Sequence, residues 1–304
     1  MKSILITGGT GLIGKKLINE LKKKKYNIYV LTRRGSYVED NVNYLEWKPD
    51  ESKLDVTGIT NLFSIIHLAG ESINGSRWTK TYKKQILESR VLTTRLLFQN
   101  IKNLKNKPKS FISASATGYY RADTNSPQKE SDPPGDGFLS GVVSSWEDEV
   151  LIFKSLGINT TILRIGLVLS KEGGILKSLY PIFKFFLGVP VGSGMQMMSW
   201  IHEDDMIDII LKSIEEQSFT GIFNCVAPEK VTNKKFSRIL AKSLGRFSYP
   251  KFIKAPSIII KLLFGGQSVL ILNGLNVSSK KILKSNFNFK YPKLSLALKA
   301  LYKK

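Results

Sequence analysis

Cysteine, histidine and long apolar runs are scarce in this chain of 304 residues, and each shortage excludes a class of protein or site. The one cysteine, Cys225, cannot form a disulfide within the chain, which fits a reducing cytoplasm. With two histidines, His67 and His202, no metal site is predicted. No apolar run approaches the roughly 18 uncharged residues of a membrane span, and no secretory segment is recognisable at the N terminus. We therefore expect a cytoplasmic protein without membrane insertion.

Acidic residues are also few, because 24 Asp and Glu oppose 46 Lys and Arg and leave a formal net charge of +22. Such a surplus is typical of proteins that bind nucleic acid or anionic membranes. However, 37 of the basic residues are Lys and only 9 are Arg, and the lysines occur along the whole chain. Because base and phosphate recognition relies largely on Arg, we favour a lysine-rich solvated surface and predict no nucleic-acid partner.

Apolar residues, by contrast, make up 42% of the chain, and their spacing predicts the fold class. Short β-branched runs alternate with segments of helical periodicity. Strands are predicted at 3–7, 27–34, 42–47, 62–70 and 160–169, a strand with its exit loop at 109–120, and helices at 11–25, 79–105 and 137–156. This alternation is typical of an α/β protein with a Rossmann, doubly wound parallel sheet. Residues 1–170 are assigned to this domain and 171–304 to a smaller, mostly helical C-terminal region, with about 195–226 returning to the Rossmann core.

Glycine is abundant at one place, the stretch "LITGGTGLIG" that starts at Leu5. Gly8, Gly11 and Gly14 lie three residues apart, between a predicted strand and a predicted helix. In that context the first glycine permits a tight turn, the second lets a pyrophosphate approach the backbone, and the third lets helix and strand pack closely. The free N–H groups of the helix N terminus then face the phosphates. The stretch predicts a dinucleotide site.

The end of the second strand predicts which dinucleotide binds. NAD enzymes usually place an acidic residue there for the ribose hydroxyls. Here Thr32, Arg33 and Arg34 occupy that place, and the next acidic residue after them is Glu39. Because arginine pairs with a 2′-phosphate, NADP is favoured over NAD. The predicted cofactor contacts lie in the glycine loop and at the ends of four strands: Gly8, Thr10, Gly11, Leu12, Ile13, Gly14, Arg33, Arg34, Leu68, Ala69, Gly70 and Ser113.

Motifs along the whole chain resemble one family. "TGGTGLIG", "HLAGE", "ISASATGYY", "DPPGDGFL", "LRIGLVLS" and "NCVAPEKVTN" follow one another in order, and a closing "F.F.YP.L..AL" ends near Leu301. They look like the "epimerase family" branch of the atypical extended short-chain dehydrogenase/reductases, which carries a C-terminal domain of unknown function. The resemblance implies a Rossmann sheet, an NADP-type cofactor and a small C-terminal substrate region. Dimers are common in this superfamily, so a homodimer is compatible with it.

The catalytic residues that the resemblance implies are incomplete. Reductases of this superfamily usually use Ser, Tyr and Lys, and Ser115 in "SASATGYY" matches the Ser. The segment "GFLSGVVSSWE", where Tyr and Lys should lie, contains neither. Tyr119 or Tyr120 could supply the proton instead, or pack against the nicotinamide. Glu71 could act as a general base, or be a surface carboxylate.

Two functions follow from these residues. The first is an NADP-dependent oxidoreductase or isomerase of a small polar carbonyl or sugar-like substrate, in which the cofactor supplies hydride chemistry. The second is a catalytically silent NADPH-binding regulatory or scaffold protein, since the usual Tyr and Lys are missing. The resemblance implies a link to cell division for it, because some relatives in photosynthetic lineages are associated with plastid or cell division. Arg164 is expected either to hold an anionic group or to pair with an internal carboxylate, and His67 to be a hydrogen-bonded core residue.

Overall fold

A nine-stranded, mostly parallel sheet lies at the centre of the computed structural model, which describes residues 1–122, 124–185, 188–247 and 254–302. Its strands are β1 (Ser3–Thr7), β2 (Asn27–Thr32), β3 (Tyr37–Glu39), β4 (Val42–Lys48), β5 (Lys53–Leu54), β6 (Leu62–His67), β7 (Ser110–Ala116), β8 (Asn159–Ile165) and β12 (Gly221–Cys225). Short strands outside this sheet are β9 (Leu167–Leu169), β10 (Met197–Met198), β11 (Trp200–His202) and β13 (Val231–Thr232). The sheet confirms the predicted Rossmann class.

The strand order of the sheet determines where a ligand can bind. The order is β12-β8-β7-β6-β1-β2-β4-β3, with β5 on β4, and only β3 and β5 run antiparallel. The chain leaves β1 towards β2 on one side and later returns to β6 on the other. A crevice opens at such a switch point, outside the carboxyl ends of the strands. The carboxyl ends of β1 and β6 are therefore the expected ligand edge.

Helices cover both faces of the sheet. They are α1 (Leu12–Lys23), α2 (Lys80–Lys102), α3 (Phe138–Leu151), α4 (Gly174–Lys184), α5 (Glu203–Glu215), α6 (Asn233–Ser243), α7 (Ser257–Phe264), α8 (Val269–Leu272), α9 (Lys280–Lys284) and α10 (Leu294–Tyr302). Helices α1 and α5 share one core with the sheet, and α2 and α3 share the other. Along β1, Ile4 and Ile6 enter the first core and Leu5 the second, because successive strand side chains alternate between faces.

The run 160–169, predicted as one strand, is divided in the structure, and that prediction was wrong. Strand β8 pairs with β7 and β12 in the main sheet, whereas β9 pairs with β11. The break falls at Gly166, where an added Cβ would lie 2.6 Å from the Ser199 carbonyl oxygen. The close approach of two backbones redirects the chain there. The predicted helix 137–156 is also divided: the α-helix ends at Leu151, and Ile152–Leu156 form a 3-10 turn.

The C-terminal elements form a further core beside the sheet. Helices α6 and α10 pack around Trp200, Phe236 and Leu298. Strand β12 lies in the main sheet, so the chain returns to the Rossmann core after residue 170. The Asp205 carboxylate, in α5, accepts hydrogen bonds from the backbone N–H groups of Lys290 at 2.6 Å and Tyr291 at 3.1 Å. That contact fastens the end of the chain to the Rossmann helices.

Candidate nucleotide site at the carboxyl edge

The turn between β1 and α1 contains glycine where a side chain cannot fit. Gly8 has a φ of +69°, and an added Cβ would lie 2.8 Å from the carbonyl carbon of Leu68. At Gly14 an added Cβ would collide with the Gly8 carbonyl oxygen and lie 2.6 Å from the Gly9 Cα. The loop therefore lies directly against the first turn of α1 and against the residues that follow β6.

The N terminus of α1 lacks a side-chain cap among the described residues. Gly11 is its N-cap, no side chain accepts from the first-turn N–H groups, and no acidic residue lies in the first turn. Thr10 and Gly11 are exposed, and Leu12 and Ile13 are half-buried beside them. Leu12 also contacts the loop before α4, since a Cβ on Gly173 would lie 3.0 Å from its Cδ1. Unpaired N–H groups and the helix dipole make this end suited to a phosphate.

Thr7 holds the opposite wall of the crevice in place. Its Oγ1 accepts hydrogen bonds from the backbone N–H groups of Leu68 at 3.1 Å and Ala69 at 3.0 Å. The Thr7 hydroxyl hydrogen is then left to point at His67 Nδ1, 2.8 Å away. The backbone after β6 is thus positioned by one buried hydroxyl group.

His67 is neutral in this arrangement. Its Nε2 lies 3.1 Å from Thr94 Oγ1, whose own hydrogen goes to the Arg90 carbonyl oxygen. Thr94 must therefore accept from Nε2–H, while Nδ1 accepts from Thr7. Burial, with a smaller effect of the Arg90 charge, lowers the pKa of His67 to about 3. His67 is a hydrogen-bonded core residue, as the sequence predicts.

Two arginines stand at the carboxyl end of β2. Arg33 and Arg34 are both exposed, and Thr32 Oγ1 accepts from the Arg34 backbone N–H at 3.2 Å. Within the described residues neither guanidinium has a carboxylate within ion-pair distance. Both charges are therefore available at the position where the ribose of a dinucleotide would lie.

Ser115 lies at the carboxyl end of β7 but points into a buried charge network. Its hydroxyl donates to Glu147 Oε1 of α3 at 2.5 Å. Arg164 of β8 donates to the same carboxylate through Nε at 2.8 Å and Nη2 at 2.7 Å, and all three side chains are buried. Of the two roles expected for Arg164, the structure shows the internal ion pair.

Tyr120 belongs to the same network, whereas Tyr119 lies outside it. The Tyr120 hydroxyl donates to Asn224 Oδ1 at 2.7 Å and accepts from Arg164 Nη1 at 2.8 Å. Burial raises the pKa of Tyr120 to about 12. Tyr119 is half-buried and stacks on Arg164, whose guanidinium carbon lies 3.5 Å from the ring centroid. No hydrogen bond involves the Tyr119 hydroxyl within the described part of the chain.

Glu71 lies on the loop after β6, beside an arginine that the sequence analysis did not single out. Arg90 of α2 donates to the Glu71 carbonyl oxygen at 3.0 Å and to the Ile86 carbonyl oxygen at 2.9 Å. Burial lowers the pKa of Arg90 to about 10. Its guanidinium fills the space beside Gly70, where a Cβ would lie 2.9 Å from the guanidinium carbon. Half-buried Glu71 and Arg90 therefore line the same loop.

Some of the predicted site residues lie away from the open crevice. Ser113 is fully buried within β7 and donates to the Ala114 carbonyl oxygen at 2.9 Å. Glu147 and Asn224, which complete the buried network, were quoted in motifs without a role. They come from α3 and β12, 32 residues from Ser115 and 104 residues from Tyr120 respectively. No local signal in the sequence joins them.

Two further properties bear on the class of protein. Among the described residues, no group of three or more His, Cys, Asp or Glu side chains is placed to hold a metal ion. No helix in the described ranges is long and apolar enough to cross a membrane.

His202 acts as the N-cap of α5, since its Nδ1 accepts from the Asp204 backbone N–H at 3.1 Å.

A doubly wound sheet with a glycine-rich turn at its switch point defines a nucleotide-binding Rossmann protein. The chain belongs to the NAD dependent epimerase/dehydratase family, whose model matches residues 4–225. A second model, a domain of unknown function (DUF1731), matches residues 255–301. With this pair of regions the chain is an atypical short-chain dehydrogenase/reductase of the epimerase family.

Relatives of this kind match the full length of the chain. An epimerase family protein of Staphylococcus aureus (strain N315) is 37% identical over 306 residues, covering 100% of both chains. The crystal structure of the human epimerase family protein SDR39U1 with NADPH superposes with a TM-score of 0.87, at 29% identity and with 99% of both chains covered. A nucleoside-diphosphate sugar epimerase from Corynebacterium glutamicum gives a TM-score of 0.80 at 25% identity, over 99% of this chain and 58% of that one.

Proposed function

We propose that this chain is a cytoplasmic NADP-dependent oxidoreductase or isomerase of a small polar carbonyl or sugar-like substrate. The observation that carries the proposal is the pair of exposed arginines, Arg33 and Arg34, at the end of β2 beside a glycine-lined crevice, for which the described residues provide no carboxylate partner. The NADPH in the human relative's structure, at 29% identity over the whole chain, supports the same cofactor.

The residues present fit such a cofactor. The uncapped N terminus of α1, with Gly8 and Gly11, would hold the pyrophosphate, and Arg33 and Arg34 would hold the 2′-phosphate. Leu68, Ala69 and Gly70 would lie beside the bound dinucleotide where it crosses the switch point, between its adenosine and nicotinamide ends. When bound, a nicotinamide cofactor supplies hydride transfer.

The protein's own contribution would be proton transfer and orientation. Tyr119 is the candidate proton donor, because its hydroxyl is not engaged by the described residues while that of Tyr120 is held by Asn224 and Arg164. Ser115 retains lone pairs that could accept from a substrate hydroxyl while its hydrogen is directed to Glu147. Glu71 is the candidate base on the facing loop.

A thermal-shift titration tests the cofactor. NADPH should raise the melting temperature of the wild type more than NADH does. Because a charge-assisted hydrogen bond contributes about 1.5–3 kcal/mol, R33A and R34A should each weaken NADPH binding by about tenfold or more. They should leave NADH binding nearly unchanged. Arg238→Ala, which removes an exposed arginine of α6, is the matched control. Equal loss of NADH and NADPH binding in R33A and R34A would refute the assignment.

One observation favours a second function, a catalytically silent NADPH-binding regulator. The hydroxyl hydrogens of Ser115 and Tyr120 are both committed to internal acceptors. The two functions are separated by offering NADPH-loaded protein a panel of carbonyl metabolites. An enzyme oxidises NADPH with some member of the panel, and Y119F slows that oxidation without weakening NADPH binding. A regulator binds NADPH but does not oxidise it with any carbonyl of the panel.

A further inference from the structure

The positive charge of the protein is concentrated at one end of the chain. Residues 230–304 contain 17 Lys and Arg and no acidic residue, whereas residues 1–229 contain 29 Lys and Arg and 24 acidic residues. Lys235 pairs with Glu229, and Lys290 pairs with Asp208. The other lysines in the described part of 230–304 have no carboxylate within 4.0 Å. The net positive charge is therefore concentrated in residues 230–304, although lysines occur along the whole chain.

An apolar helix stands exposed within this basic region. Helix α7 has the sequence SIIIKLLF, and none of its described side chains is buried. Ile258 is 68% exposed, Ile259 48% and Leu262 79%. Ile258 and Leu262 are four residues apart, so they project from the same side of the helix. Contiguous exposed aliphatic side chains of this kind mark an interaction surface.

Lysines flank these aliphatic side chains. Lys254 precedes α7 and donates to the Ser193 carbonyl oxygen at 3.0 Å, and Lys261 lies within the helix, exposed. The segment before Ser193 is held against the start of α7, since the Gly192 backbone N–H donates to the Ala255 carbonyl oxygen at 2.8 Å. We call Ile258, Ile259, Leu262, Lys254 and Lys261 the α7 surface.

We propose that the α7 surface attaches the protein to an anionic lipid bilayer, with the aliphatic side chains in the interfacial layer and the lysines at the headgroups. Interfacial binding combines buried apolar side chains with attraction of Lys and Arg to anionic lipid. The helix lies in the plane of the bilayer surface and does not span it.

Charge and side-chain chemistry favour a bilayer over other occupants. A second copy of the chain would bring two acid-free, strongly positive regions together, and like charges across an interface oppose association. A nucleic acid would be met by several aromatic side chains and Arg, whereas α7 exposes three aliphatic side chains and one aromatic, Phe264, and 15 of the 17 basic residues in 230–304 are Lys. Aliphatic side chains among lysines are complementary to anionic headgroups over acyl chains.

Vesicle co-sedimentation of the full chain tests the proposal. The protein should bind vesicles of phosphatidylcholine mixed with phosphatidylglycerol, bind pure phosphatidylcholine weakly, and be released from the anionic vesicles by added salt. I258S/L262S should lower binding by about tenfold or more, because it removes the side chains that enter the interface. K254Q/K261Q should lower it by roughly 25-fold, at about fivefold for each lysine near an anionic surface.

Matched variants elsewhere separate this surface from general charge and hydrophobicity. V38S/L92S removes exposed apolar side chains from β3 and α2, and K102Q/K105Q removes exposed lysines at the far end of α2. Both should bind anionic vesicles like the wild type. Circular dichroism and the melting temperature establish that every variant is folded.

Three outcomes would overturn the proposal. The first is equal loss of vesicle binding in the α7 variants and their controls, which would indicate that binding depends on the overall charge of the protein and not on the α7 surface. The second is tight, salt-dependent binding to DNA without binding to anionic vesicles. The third is a wild-type dimer in sedimentation equilibrium that I258S/L262S converts to monomer, which would assign the surface to a second copy.

Discussion

The buried His67 makes the stability of the protein depend on pH in a way that can be calculated. Its pKa is about 3 in the folded state and about 6.5 in the unfolded chain, so only the unfolded state takes up a proton between these values. Stability due to neutral His67 is therefore present above pH 6.5 and is lost as the pH falls towards 3. Between pH 7.5 and 5.0 the loss is about 2 kcal/mol, since one pKa unit corresponds to about 1.36 kcal/mol.

The assay is urea unfolding of the wild type and His67→Gln at pH 7.5, 6.5, 5.5 and 5.0. Gln keeps a donor and an acceptor for Thr94 and Thr7 but does not titrate. The variant is less stable at pH 7.5 because it loses the ring contacts of His67 with Phe111 and Trp146. The stability gap between the two proteins should shrink by about 2 kcal/mol by pH 5.0. Ile112→Val, a core change without a titrating group, should keep a constant gap. A stability difference between the wild type and H67Q that is equally independent of pH would refute the assignment of this pH dependence to His67.

Four other variants test the network, the loop and the C-terminal contact. Glu147→Gln leaves the Arg164 charge buried and unpaired, so urea unfolding should show a loss of about 3–5 kcal/mol, and E147M/R164M should be more stable than E147Q. Gly14→Ala places a methyl group on the Gly8 carbonyl, so melting should show a loss of about 1–3 kcal/mol together with lost nucleotide binding. Burial raises the pKa of Asp205 to about 6, above its unfolded value of about 3.9, so stability falls as the pH rises between these two values, where only the unfolded state loses the proton. In urea titrations, the free energy of unfolding of D205N relative to that of the wild type should therefore increase as the pH rises from 4 to 7. A difference that stays constant with pH would contradict this.

The fold class and the family could be predicted from the sequence because their signals are local. Strand β1 is a continuous apolar run that stops at Gly8, and α1 follows with helical spacing, so one βαβ unit is readable within 32 residues. Both predictions are confirmed. The division at Gly166 was missed because apolar residues, Ile165 and Leu167, stand on both sides of it, and the close backbone approach there comes from Ser199, 33 residues further on.

The candidate site was only partly predictable. Its cofactor residues stay predictions, as do Ser115, Tyr119, Tyr120 and Glu71 as catalytic residues. The sequence places Ser115 at the end of β7, but its partner Glu147 comes from α3, and Tyr120 meets Asn224 of β12. Which of two adjacent tyrosines is buried and hydrogen-bonded depends on these distant elements. No spacing along the chain contains that information.

The sequence by itself determined the alternation of strands and helices, the glycines of the first turn, the arginines after β2 and the absence of acidic residues after Glu229. All of these are properties of neighbouring residues or of composition. Tertiary structure decided that Arg164 pairs with Glu147 and that the apolar helix α7 lies exposed. The physical reason is that burial and pairing depend on which other elements pack against a side chain, and an apolar run has the same pattern whether it is covered or not.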